Sequence, residues 1–125
     1  MATNTITSET FESTVSGDGI VLIDWWAPWC GPCRTFGPIY ERVAERHPDV
    51  TFAKIDTQEQ PELAGGMGVQ SIPTLMIFRD GVLLFAQPGL LPEAALEDLV
   101  AQAKALDMAE VRRKIAEREA VGEAG

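Results

Sequence analysis

The sequence predicts an α/β domain with a mixed central sheet of about five strands and helices on both faces, followed by a helical extension. Three observations carry this. Strand-like and helix-like runs alternate through the first half of the chain, as in a βαβ unit. Ile20–Trp26 is apolar on both faces, which marks a strand covered on both sides. Asp80-Gly81 then gives a two-residue hairpin signal, so an antiparallel pair is appended to the parallel strands. A chain of 125 residues is long enough for one core and too short for two.

Taken in order, Thr3–Ile6 fits a short edge strand, and Thr7 fits a helix N-cap with Ile6 and Phe11 as a hydrophobic staple. Gly17-Asp18-Gly19 is a turn before the strand Ile20–Trp26. After Ala27-Pro28-Trp29 and Cys30-Gly31-Pro32-Cys33 the pattern becomes helical to His47. Phe36, Ile39, Tyr40, Val43 and Ala44 form its buried face, and Pro38 lies inside it. Val50–Asp56 reads as a strand and Glu62–Met67, opened by Pro61, as a brief helix weakened by Gly65 and Gly66. Pro73 heads the strand Thr74–Phe78, which the hairpin joins to Val82–Ala86. Pro92 falls in the first turn of a helix whose stripe is Leu96, Leu99, Val100, Ala103 and Leu106.

We divide the chain into a domain at 1–106 and an extension at 107–125. Asp107 with Glu110 forms a capping pair for a helix over Met108–Ala120, with Met108, Val111 and Ile115 on one face. A helix docked on the domain and a partner-binding element both fit that pattern. Gly122–Gly125 reads as a mobile tail.

Composition narrows the function classes. A net charge of −9 argues against nucleic acid, which needs clustered Lys and Arg. Met1–Ile6 has no basic region or apolar run, and no stretch is long enough to span a bilayer, so the expected location is the cytoplasm. A monomer is the default expectation.

Both cysteines of the chain lie in one Cys-x-x-Cys, leaving no further cysteine for a structural staple. In a reducing compartment such a pair points to function. Side chains three apart at a helix start share a face, and the unpaired N–H groups there favour thiolate at Cys30. Lowering a thiol pKa from ~8.5 to ~7 raises the thiolate fraction roughly fifteenfold at pH 7, but lost nucleophilicity leaves a net gain of only ~3. The larger effect is Cys33 tethered beside the mixed disulfide at high effective concentration. A zinc site is a competing reading, but His47 is the only other soft ligand, so it needs a second subunit. Inert helical cysteines are another.

Asp24 interrupts the apolar strand, where an ionised carboxylate is costly unless paired. It either faces solvent or is a buried acid of raised pKa that takes the Cys33 proton. Lys54 in the next strand is a candidate neighbour, or an ordinary surface lysine.

The run Asp24-Trp25-Trp26-Ala27-Pro28-Trp29-Cys30-Gly31-Pro32-Cys33 closely resembles the active-site segment of thioredoxins. So do Pro38, Ala53-Lys54, Ser71-Ile72-Pro73-Thr74 and Gly81, over about Thr3 to Leu106. The resemblance implies the thioredoxin fold and protein-disulfide reduction, with Cys30 attacking, Cys33 resolving, Asp24 as acid–base residue and Lys54 beside it. It implies a cis Pro73 and an apolar rim of Trp29, Gly31, Pro32, Ile72, Pro73 and Gly89 for an extended target chain. It implies no bound cofactor or metal, disulfide-containing target proteins, and electrons from NADPH through a thioredoxin reductase. Gly65-Gly66-Met67, Pro88 and the charged extension depart from the family pattern. An oxidase or isomerase on the same fold, or a non-catalytic binding module, are the alternatives.

Overall fold

The computed structural model describes residues 2–124. Its elements are β1 (Thr3–Thr5), α1 (Ser8–Val15), β2 (Ile20–Trp26), α2 (Gly31–Arg46), β3 (Thr51–Asp56), α3 (Pro61–Gly66), β4 (Thr74–Arg79), β5 (Val82–Pro88), α4 (Glu93–Ala105) and α5 (Met108–Ala124). The strands form one sheet in the order β1-β3-β2-β4-β5. β1, β3 and β2 run parallel, while β4 and β5 add antiparallel. This is the expected thioredoxin fold, with its mixed five-stranded sheet.

Alternation along β2 sorts the core into two layers. Leu22 points to the side of α2 and α4, where it joins Phe36, Tyr40, Val43, Leu96 and Val100. Ile23 and Trp25 point to the side of α1 and α3, where Phe11, Val15 and Ala64 close the layer. Leu96 and Val100 are wholly buried, each stabilising α4 on the sheet by about 1.5–3 kcal/mol. Asp24 shares the side of Leu22, so the strand carries its one carboxylate into the layer beneath α2.

Local signals explain the element ends. The Thr7 N–H donates to Thr10 Oγ1 at 3.0 Å and starts α1. The β4–β5 hairpin has φ of 52° at Asp80 and 81° at Gly81, the two positive values a type I′ turn needs. Arg79 Nη1 donates to the carbonyls of Ala103 and Leu106, both at 2.8 Å, and so satisfies the C-terminal end of α4.

Four details differ from the sequence reading. Leu106 is not in the buried stripe of α4: it lies past the helix end and is exposed, because the chain turns there toward α5. Pro92 is the N-cap of α4 and precedes its first turn. Asp107 caps α5 by accepting from the N–H groups of Ala109 at 3.0 Å and Glu110 at 3.3 Å, the first half of the expected capping pair, but the Glu110 carboxylate pairs with Arg113 in place of reaching back. Finally, α5 continues past Ala120 to Ala124. The expected tail therefore falls mainly within α5, and its last residue, Gly125, lies outside the described residues, as does Met1. Among the described residues no helix is long and apolar enough to cross a membrane.

Candidate active site

The site forms where β2 ends and α2 begins. Cys30 is the N-cap of α2, with Gly31 and Pro32 next and Cys33 in the first turn. This places the Cys33 N–H on Cys30 Sγ, which accepts it at 3.2 Å. An N–H group left over by the helix start thus points at the sulfur, as a stabilised thiolate requires. The two cysteines are joined as a disulfide, with Cα atoms 5.2 Å apart.

Both cysteines are only 4% exposed, while Trp29 beside them is 66% exposed. The sulfurs are thus recessed, while Trp29, Gly31 and Pro32 beside them in the chain are exposed. Ala27, Trp26 and Ile72 pack around the pair. The Ile72 carbonyl lies 3.8 Å from Cys30 Sγ, close enough to accept from the thiol when the disulfide is reduced.

The loop opposite the cysteines is fixed by its own bonds. Ile72-Pro73 is a cis peptide, Thr74 Oγ1 donates to the Ser71 carbonyl at 2.6 Å, and the Gly89 N–H donates to the Pro73 carbonyl at 2.8 Å. Gly89 has φ +111°, a conformation that favours glycine. Pro73 itself is buried, Ile72 half-buried, and Gly89 exposed. Leu90 follows Gly89 and is 45% exposed. No periodic partner marks an apolar residue after a glycine, so its exposure is visible only in the folded chain.

Asp24 is wholly buried, and neither carboxylate oxygen has a hydrogen-bond partner. The solvent-facing alternative is therefore excluded by the fold. Burial pushes its carboxyl up to about 7, and the positive charge of Lys54 holds it from going higher. Lys54 pairs in register with Asp24 across β2–β3. Its ammonium lies 4.8 Å from the centre of the Trp26 ring, a cation–π contact. On the helix side it faces Gly37, where a Cβ would stand 4.0 Å from the Lys54 nitrogen.

Tyr40 shares the layer beneath α2, fully buried, its hydroxyl donating to the Ala53 carbonyl at 2.8 Å. Burial, reinforced by the negative charge of Asp24, holds its phenol well above the usual range, so it remains neutral. His47 stands at the other end of α2, fourteen residues beyond Cys33 and about 21 Å away at 1.5 Å per residue. There it bonds Glu97 at 3.1 Å and accepts from Lys104 at 2.9 Å, so it cannot join the cysteines in one centre within a chain. Among the described residues no group of three or more His, Cys, Asp or Glu is placed to hold a metal.

Comparison with known proteins agrees with this geometry. The family model described as Thioredoxin matches residues 2–102. A Streptomyces coelicolor protein with the provisional name thioredoxin 2 is 58% identical over 115 residues, covering 92% of this chain and 86% of its own. The thioredoxin of Alicyclobacillus acidocaldarius is 44% identical over 104 residues, covering 79% of this chain and 99% of its own. Among solved structures, a mutant thioredoxin from Halobacterium salinarum superposes with a TM-score of 0.76 at 37% identity, over 83% of this chain and 92% of that one. A paired dithiol at a helix start, on this sheet order and with these relatives, has one consistent explanation: the chain belongs to the thioredoxin family and is a protein-disulfide oxidoreductase.

Proposed function

We propose that this chain is a cytoplasmic, monomeric reductant of protein disulfides that uses Asp24 to move the proton of Cys33 and is recharged by a thioredoxin reductase with electrons from NADPH. The redox unit is residues 1–106, and 107–125 is accessory. The observation that carries the proton role is the orphaned Asp24 carboxylate, wholly buried on the sheet face beneath the helix that bears Cys33.

In this scheme the Cys30 thiolate attacks one sulfur of a target disulfide. A Cys30–target bond forms and the other target sulfur leaves as thiolate. Asp24 takes the proton of Cys33, whose sulfur attacks Cys30 Sγ and expels the second target sulfur. The Cys30–Cys33 disulfide forms and two electrons pass to the target. The proton then leaves Asp24 for the released thiolate, directly or through water. A group titrating near 7 is suited to both directions of transfer at neutral pH.

Target recognition falls to Trp29, Gly31, Pro32, Ile72, Pro73 and Gly89. An extended target strand set along the Ile72-Pro73 edge brings its disulfide to the recess, with backbone bonds supplying affinity independent of sequence. Pro88, which lacks an N–H, removes one donor beside Gly89 and biases which strands fit.

The test is insulin reduction with NADPH and a thioredoxin reductase, followed by NADPH consumption. Sustained turnover is expected. A chain that oxidises reduced peptides but leaves insulin intact would instead be an oxidase on the same fold.

A further inference from the structure

Five large hydrophobic side chains are exposed among the described residues. Trp29 adjoins Cys30 in the chain, and Leu90 follows Gly89. The other three, Leu83, Leu106 and Ile115, line a single groove of about 310 Å³ between β5 and α5. Leu84 and Val111 complete its apolar wall, and Lys114 and Arg118 its polar one. No acidic side chain lines it, although the chain has 19 acidic residues against 10 basic ones.

The groove exists because the apolar stripe of α5 rises out of the domain. Met108 is buried at 6% exposure, Val111 is half-buried, and Ile115 is 37% exposed. The i, i+4 ridge of Val111 and Ile115 thus continues beyond what the domain covers. A ridge of this kind is ordinarily met by the groove of another helix. At the small end of binding-pocket volumes, roughly 300 Å³, the space suits a few side chains and not a whole cofactor.

We propose that this face, between β5 and α5, docks an acidic amphipathic helix of a partner protein. Its apolar anchors fill the space over Leu83, Leu106 and Ile115, and its Asp or Glu residues pair with Lys114 and Arg118. Charge selects this occupant. Lys114 reaches an acid of its own chain only at 4.0 Å, and a basic helix would be repelled at the groove. A second copy meeting this face with its own would set Lys114 and Arg118 against the same two cations. The face lies outside the redox recess, so a partner held here leaves Cys30 and Cys33 open to targets.

The experiment titrates the full chain calorimetrically with two synthetic helical peptides. Both carry Leu at i, i+4 spacing, and they differ only in having Glu or Lys at the flanking positions. We expect the Glu peptide to bind at least about tenfold more tightly than the Lys peptide, and to weaken as salt rises. Ile115→Glu and the pair Lys114→Glu with Arg118→Glu should each reduce its affinity about tenfold or more. Insulin reduction should be unchanged in both variants, which also shows that they fold. Equal binding of both peptides, no binding of the Glu peptide, or binding that survives these substitutions overturns the proposal. So does self-association in sedimentation that Ile115→Glu abolishes, since the groove would then belong to a second copy.

Discussion

Asp24 and Lys54 are direct register partners across β2 and β3, yet the carboxylate holds no hydrogen bond and the ammonium rests over the Trp26 ring. The two charges face the same layer without closing into a hydrogen-bonded pair. A closed pair would lock the carboxylate in its ionised form and remove its use as a proton acceptor near neutrality. Burial alone would drive it too high. The observed arrangement leaves burial as the larger influence and Lys54 as the smaller, with the carboxyl at about 7.

Resolution of the mixed disulfide should therefore speed up as pH rises through about 7, where Asp24 loses its proton. In Asp24→Asn the step should fall by a factor of about 10² or more, within the range of general-base contributions, and that inflection should vanish. Stopped-flow tryptophan fluorescence during insulin or peptide disulfide reduction measures both. Equal rates for the two proteins from pH 6 to 9 would remove Asp24 from the mechanism.

The same carboxyl has a stability cost whose sign follows from linkage. Folded Asp24 titrates near 7 and its ordinary value is 3.8, so the folded state binds the extra proton between these values. Its contribution is intact below about pH 4 and is lost as pH rises through 7, a total of about 4 kcal/mol. Asparagine keeps the shape but leaves amide donors unpaired, which costs about 1–3 kcal/mol. Urea titration should find Asp24→Asn about 2 kcal/mol more stable than the parent at about pH 8.5, and no more stable at about pH 4.

Lys54→Met should move the Asp24 titration above about 7, since the charge that lowers it is gone. The pH profile of resolution shifts in the same direction, and a carboxyl-selective NMR titration reads the change directly. A downward shift would show that Lys54 acts on the site by packing against Trp26 and not by its charge.

Cys33→Ser should trap a target on Cys30 as a stable mixed disulfide, visible by mass spectrometry, whereas Cys30→Ser should form no adduct. The expectation rests on which sulfur the helix N–H points at, Cys30. Rapid multiple turnover by Cys33→Ser would reverse the assignment.

Arg79→Met should destabilise the domain by about 2 kcal/mol, because the carbonyls of Ala103 and Leu106 lose a charged donor at a helix end. The loss should appear first as faster amide exchange at the end of α4 and the start of α5. Exchange unchanged there would mean that water replaces the guanidinium without cost.

Much of this was readable from the chain. Ile20–Trp26 declared a doubly covered strand because both of its alternating faces are apolar, and Asp80-Gly81 declared its turn because few residue pairs adopt two positive φ values cheaply. The cysteines were recognisable because three-residue spacing at a helix start leaves little else for them to do. These are local properties, and neighbours in sequence determine them. The burial of Asp24, its unbonded oxygens and the route of Lys54 to Trp26 were decided only when β3 and α2 closed over β2, since solvation depends on residues distant in sequence. The same is true of Leu106, whose spacing fits the α4 stripe but which lies beyond the helix end, where its carbonyl accepts from Arg79. Periodicity assigns a side chain to a face, and the packed elements then determine whether that face meets protein or water.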